Sequence, residues 1–248
     1  MLGKATIKHL HSLQQNKFRR KYGRFLAEGS INVLDFIDGS LKVIQLFATE
    51  AWITVYKETL AGLKYEVITL KEMEKVSALK NPSEVLAVVE KPEYVLPDIK
   101  TIGRYVLALD DIKDPGNLGT IIRTADWFGI RDIVCSEETV DAFNPKVVQA
   151  TMGSLARARV HYADLANWFS RKPEDLKIYG AVLDGNDIRK VEKQEKGILL
   201  MGSEAHGISQ PLNVFIDKRI RIPAAEDPGA ESLNVAVATA IVCYAFRL

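Results

Sequence analysis

The chain has 248 residues, 47% of them hydrophobic and 26% charged, with a formal net charge of +1 at pH 7; this is the composition of a folded globular protein and excludes a disordered or fibrous chain. No apolar run approaches the roughly 18 residues of a membrane helix and no basic, apolar leader opens the chain, so a cytoplasmic protein that meets no membrane is expected. Cys135 and Cys243 are the only cysteines, and neither they nor His9, His11, His161 and His206 have metal-ligand or disulfide spacing, so free thiols and no metal are expected.

In chain order, residues 1–24 come first, with Lys4, Lys8, Lys17, Arg19, Arg20, Lys21 and Arg24, no acidic residue, and Phe18 and Tyr22 interleaved. Cations neutralise backbone phosphates and aromatic faces accept stacked bases. Lys17, Arg19, Arg20, Lys21 and Arg24 are therefore candidate RNA-binding residues, although a solvated amphipathic helix has the same pattern. Helical spacing over residues 7–13 and 31–37, with apolar runs over 43–48, 65–70 and 85–89, predicts a small α/β unit. Pro92 and Pro97 then forbid a regular helix over residues 91–98 and predict an extended linker, which divides the chain into domains 1–98 and 99–248.

After the linker, strand and helix alternate: strands over 105–109, 132–135, 178–183, 198–201 and 219–222, helices over 118–128 and 145–156, and a last helix from Ser232. Such alternation predicts a mostly parallel sheet covered on both faces. The last helix carries Val235, Val237, Ala238, Ile241, Val242, Tyr244 and Phe246 around most of its circumference, so it is expected to lie between two layers or two subunits.

Ligands of open α/β sheets bind at the carboxyl ends of the strands. Three loops lie there: residues 110–126, residues 201–209, and the stretch from Ile222-Pro223 to Ser232-Leu233-Asn234-Val235. No G-x-G-x-x-G follows a strand, the phosphate-loop lysine is missing beside Gly197 to Gly202, and no Ser or Cys sits in a nucleophile elbow. What remains is glycine turns, backbone amides and a few uncharged polar groups, suited to a ligand held by its edges, such as adenosine with a sulfonium tail.

At these loops the chain resembles the SpoU-type (TrmH-like) RNA ribose 2'-O-methyltransferases of the SPOUT class. The resemblance is carried by N-L-G-T-I-I-R-T-A-D-W-F-G from Asn117, by M-G-S-E-A-H-G-I from Met201, and by I-P followed by S-L-N-V, in order over about residues 105–248. The segment K-F-R-R-K-Y-G-R-F-L-A-E-G at residues 17–29 resembles the family's substrate-binding domain. The resemblance implies a SPOUT-type parallel sheet with a carboxy-terminal trefoil knot, preceded by a small α/β RNA substrate-binding domain, and a homodimer whose active site takes residues from both subunits. It implies transfer of a methyl group from S-adenosylmethionine to a ribose 2'-hydroxyl, with ribosomal RNA favoured over transfer RNA as substrate; a transfer-RNA enzyme, a base methylase and a non-catalytic RNA-binding protein are the alternatives.

Carried over by position, Met201, Gly202, Gly207, Ile222 and Leu233 would hold the cofactor, and Asn117, Arg123, Glu204, Ser232 and Asn234 would line the reacting end. Each has a plainer reading as well. Arg123 can be a surface ion pair on its helix, Glu204 can fix its own turn, and Ser232 and Asn234 can cap the last helix. Three features depart from the family pattern: nine positions separate Pro223 from Ser232, Ala236 stands where a second Ser is usual, and Ser203 where Asn is common.

Overall fold

The structure is a computed structural model and describes residues 2–227 and 229–247. Two units form: Met1–Glu93 with Asp141–Arg157, and Tyr94–Val140 with Ala158–Leu248. The division differs from the expected one in two ways. It falls three residues into the proline-flanked stretch, at Tyr94, and residues 141–157 leave the second domain to fold with the first.

In the first unit, α1 (Lys4–Leu13) and α2 (Asn16–Tyr22) precede β1 (Arg24–Glu28), followed by α3 (Ser30–Asp38), β2 (Val43–Ala48), α4 (Glu50–Val55), β3 (Tyr65–Val67), α5 (Leu70–Glu74) and β4 (Val85–Glu90). The sheet order is β1-β4-β2-β3, with β4 antiparallel to both neighbours and β3 parallel to β2. Leu10, Leu13, Leu26, Phe47, Met73 and Leu86 fill its core. The α2–β1 junction is absent from the predicted elements: Gly23, at φ +60°, ends α2 in the left-handed conformation and turns the basic segment directly into a buried strand.

The second unit opens with β5 (Tyr105–Leu109), α6 (Pro115–Trp127) and β6 (Asp132–Cys135); the chain then passes through α7 (Pro145–Thr151), which folds with the first unit. The helix expected over 145–156 stops early because Met152 and Gly153 both take positive φ. Gly153 is held there by its N–H, which donates to Asn32 Oδ1 at 2.7 Å, and a Cβ would collide with Asp35. The chain continues with β7 (Arg159–Tyr162), α8 (Leu165–Phe169), β8 (Ile178–Asp187), β9 (Gly197–Met201), α9 (Gln210–Asn213), β10 (Lys218–Arg221) and α10 (Val235–Arg247).

These strands make one six-stranded sheet, order β10-β8-β9-β5-β6-β7, parallel throughout. The chain starts in the middle at β5 and works outward through β6 and β7; it then lays down β8, returns inward to place β9 between β8 and β5, and ends at the edge with β10, which leaves a crevice at the carboxyl ends of the central strands β5 and β9. Val106, Ala108, Ile198 and Leu200 on one face pack with Leu165, Trp168 and Phe169 of α8. The other face meets α10, where Phe246 sets its ring edge-on to Tyr105 at 5.4 Å and Tyr179 at 4.7 Å. Along α10, Val235, Ala236, Val242 and Cys243 are buried, whereas Val237 and Tyr244 are 50% and 58% exposed, so an apolar stripe of this helix stays uncovered in the single chain. Among the described residues no helix is long and apolar enough to cross a membrane.

Candidate active site at the carboxyl ends of the central strands

The loop after β5 is bent by Asp111, which holds φ +59° and donates its N–H to Ser136 Oγ at 2.9 Å. It delivers the chain to α6, whose start is capped by Asp114 accepting from Asn117 N at 2.8 Å, with Pro115 in the first turn. Asn117 thus stands in the first turn of α6 with its amide facing the neighbouring loops.

The loop after β9 is a tight ring. Ser203 and Gly207 exchange backbone hydrogen bonds of 3.0 and 2.9 Å, and Gly207 takes φ +65° to close the turn. Gly202 has no room for any side chain, since a Cβ would lie 2.1 Å from the carbonyl carbon of Gly207. The ring is tied down by Asp110, a buried residue at the end of β5 whose Oδ2 accepts from Ser209 N at 2.7 Å. Asp110 was not singled out among the candidate residues. Its position directly after a central strand was the available signal.

Three side chains from three loops then meet. The Asn117 amide donates to Glu204 Oε1, and Asn117 Oδ1 accepts from Asn234 Nδ2 at 2.9 Å. Asn234 also caps α10, its Oδ1 accepting from Ala236 N at 2.9 Å and Val237 N at 3.3 Å. The cap and the site contact are therefore made by one side chain. Arg123, further along α6, is exposed and has no ion-pair or hydrogen-bond partner among the described residues, so the surface ion pair that would explain it otherwise is not formed.

Between the loop after β9 and the segment after β10 lies a cleft of about 810 Å³. Met201, Gly202, Gly207, Ile222 and Leu233 all line it, as do Glu204 and Ser232; Asn117, Arg123 and Asn234 do not. Its walls are mainly apolar side chains and glycine backbone, including Ile208, Ile220 and Val242. Apolar walls with a few polar groups are the usual make-up of a small-molecule site. The loop over residues 223–232, longer than the family pattern, includes Pro228, which lies outside the described residues. Also missed by sequence reasoning were Leu183 and Asp184 of β8, which line the same cleft.

The candidate RNA-binding residues belong to the first unit, and one of them is corrected by the structure. Arg19 is 2% exposed; its guanidinium donates to Asp141 Oδ2 at 2.8 Å and to the carbonyls of Leu13 and Gln14 at 3.1 and 2.8 Å. It stitches the end of α1 to residue 141 and has no face left for a phosphate. Lys17, Arg20 and Lys21 are exposed and Arg24 is half-buried. Phe18 and Tyr22 stack at 6.1 Å between ring centres, with the Lys17 and Lys21 ammonium groups 5.9 and 5.4 Å from the two rings. Both cysteines are buried, and burial pushes the Cys243 thiol up to about 12, so neither offers a thiolate at neutral pH.

A parallel sheet with a tight glycine loop and a mainly apolar cleft at the carboxyl ends of its central strands defines a class of α/β proteins that bind a ligand there. Residues 104–244 match the SpoU rRNA methylase family and residues 4–87 match the MRM3-like substrate binding domain. The chain belongs to the SpoU rRNA methylase family. It is 34% identical over 245 residues to the 23S rRNA (guanosine(2553)-2'-O)-methyltransferase RlmP of Bacillus subtilis, covering 97% of this chain and 95% of that one. It is 25% identical to human mitochondrial rRNA methyltransferase 3, over 94% of this chain and 69% of that protein. The AdoMet-bound rRNA methyltransferase of Sinorhizobium meliloti superposes with a TM-score of 0.87 at 32% identity, covering 100% of this chain and 95% of that one.

Proposed function

We propose that this protein methylates ribosomal RNA on a ribose 2'-hydroxyl, using S-adenosylmethionine bound in the cleft between residues 201–209 and 222–235. The observation that carries the reading is the junction of Asn117, Glu204 and Asn234 beside that cleft. It joins the loop after β5, the loop after β9 and the start of α10 by side-chain hydrogen bonds. The RlmP relative is by name a 2'-O-methyltransferase of 23S rRNA, and the Sinorhizobium relative was solved with AdoMet bound.

S-adenosylmethionine brings a methyl group already activated on a sulfonium. The protein's task is then alignment of the ribose oxygen with that methyl carbon, which is worth about 7–11 kcal/mol. Met201, Gly202, Gly207, Ile222 and Leu233 hold the adenosine through backbone edges and apolar contact. Asn117, Glu204, Ser232 and Asn234 shape the reacting end. Arg123, with its fork of donors uncommitted, orients the 3'-phosphate and the hydroxyl; a guanidinium is a donor and not an acceptor, so the proton passes to phosphate or water.

The exposed stripe of α10, at Val237 and Tyr244, supports a homodimer, and the reading includes the carboxy-terminal knot and a cytoplasmic location. In the first unit, Lys17, Arg20, Lys21 and Arg24 with Phe18 and Tyr22 bind RNA by phosphate contact and stacking.

The test is incubation of the purified protein with methyl-labelled S-adenosylmethionine and total RNA from cells lacking the gene, followed by mapping of alkali-resistant linkages. Label in ribosomal RNA at one alkali-resistant step is expected. Label that resides in transfer RNA corrects the substrate, label on a base corrects the acceptor, and failure to bind S-adenosylmethionine leaves a non-catalytic RNA-binding protein.

A further inference from the structure

The strand β8 does not run straight along β10. Lys218 and Arg219 pair with Tyr179 and Gly180, but the next residue, Ile220, pairs with Asn186, so residues 181–185 bulge out of this ladder. They are outside the β9 ladder as well, which ends at Gly180. The excursion is closed by Gly185, where a Cβ would lie 2.6 Å from the Ile220 backbone. Bulges of this kind re-aim side chains beside active sites. Here the excursion turns Ala181, Val182, Leu183 and Asp184 into the wall of the cleft.

Asp184 is the carboxylate of that wall; its side chain is 75% exposed and paired with Arg219. Arg219 Nη2 donates to its Oδ1 at 2.5 Å, while Arg219 Nη1 donates to Asn213 Oδ1 at 3.2 Å. Hydrogen bonding to Arg219 holds the Asp184 carboxyl below the usual carboxylate range, so it is ionised and purely an acceptor at neutral pH. Its Oδ2 receives no hydrogen bond from another residue among the described residues. Two other carboxylates line the cleft: Glu204 is engaged by Asn117, and Glu231 lies on the opposite side, in the segment after β10. An ionised acceptor paired with an arginine on one oxygen and open on the other suits a donor pair on the ligand. The vicinal hydroxyls of a nucleoside ribose are such a pair, and carboxylates bind them elsewhere in α/β folds.

We propose that Asp184, aimed into the cleft by the β8 bulge and braced by Arg219, is the receptor for the ribose hydroxyls of the bound nucleoside. This rests on the reading of the cleft as an S-adenosylmethionine site. The assignment makes Asp184 a binding and specificity residue that selects a ribose over a deoxyribose in the ligand. It takes no part in proton transfer.

The test is calorimetric titration of the full-length protein with S-adenosylhomocysteine and with its 2'-deoxy and 3'-deoxy analogues, no methyl transfer being needed. The unaltered protein is expected to bind at least one deoxy analogue about tenfold or more weakly than the parent, the size of one lost hydrogen bond to a charged acceptor. D184N and D184A are expected to bind S-adenosylhomocysteine more weakly and to lose most of that discrimination. Equal binding of all three ligands by the unaltered protein overturns the assignment, as does discrimination that persists undiminished in D184N or D184A. No binding of S-adenosylhomocysteine by the unaltered protein overturns the cofactor site itself, and with it this role for Asp184.

Discussion

Asn234 donates its side-chain amide to Asn117 Oδ1 over 2.9 Å, joining two residues 117 positions apart. Asn117 passes the link on to Glu204, so one chain of amides and carboxylate crosses all three loops of the proposed active site. Because the two asparagines act as one unit, N117A and N234A should each lower kcat by about ten- to a hundredfold. The N117A/N234A double variant should be little worse than either, and a double-mutant cycle on kcat reads the coupling. Strict additivity would show the contact to be incidental.

Arg123 carries no partner among the described residues, which frees it for substrate. R123A is expected to reduce kcat at least about a hundredfold while RNA affinity, read by filter binding, changes less than about twofold. R123K keeps the charge and loses the fork, and should remain well below the unaltered rate. Parallel loss of affinity and rate would place Arg123 in general RNA binding instead.

The two glycines of the proposed cofactor loop should respond in opposite ways. A Cβ at position 202 would press on the Gly207 backbone at 2.1 Å, so G202A is expected to cost about 1–3 kcal/mol in the thermal melt and to abolish S-adenosylhomocysteine binding. Gly207 needs only its φ of +65° and has open space around it, and asparagine tolerates that conformation. G207N should therefore bind the ligand within a few-fold of the unaltered protein.

Among the amino-terminal cations, stability and RNA binding should separate by burial. R19A leaves Asp141 and two carbonyls without their donor in a closed site, and should destabilise by about 3–5 kcal/mol in urea unfolding. K21A, on an exposed side chain, should leave the unfolding midpoint in place and reduce the salt dependence of RNA binding by one phosphate contact.

Acid should weaken the fold in two stages. Burial holds His161 below its ordinary value against the pull of Asp132, and burial together with Arg24 does the same to His9. The unfolded chain then takes up protons first, so stability falls as pH drops below about 6.5, by at most ~1.4 kcal/mol per pH unit for each histidine. Asp132 is the reverse case in cause and the same in direction. Burial opposes its charge, but Arg159, His161 and Arg104 hold it below the usual carboxylate range, and its contribution is present above about pH 4 and lost below. H161Q keeps a donor for Asp132 and should flatten the melting-temperature profile between pH 7 and 5. An unchanged profile would assign that limb to other groups.

The strands of the second unit were readable because a parallel sheet covered on both faces needs continuous apolar runs, as at Tyr105–Leu109 and Gly197–Met201. β7 escaped notice because Arg159-Val160-His161-Tyr162 alternates at the sheet's edge and puts a charge and an imidazole where an apolar run was sought. The loops of the site announced themselves by strand-end position and motif. Their joining did not, since nothing local in Asn117, Glu204 or Asn234 says which of the others it will touch.

What the sequence by itself determined, then, is the α/β class of the second unit, five of its six strands and the three segments at strand ends. These follow from periodicity and from residue types whose backbone demands are local. Only the tertiary structure decided that Arg19 is a buried brace and not an RNA contact, that residues 141–157 fold with the first unit, and that an excursion of β8 sets Asp184 in the wall of the cleft. In each case the deciding partner lies far along the chain: Asp141 is 122 residues from Arg19, and Asp184 is 35 from Arg219. A charge carries no mark of its partner in the sequence; burial and pairing exist only once the chain has closed on itself.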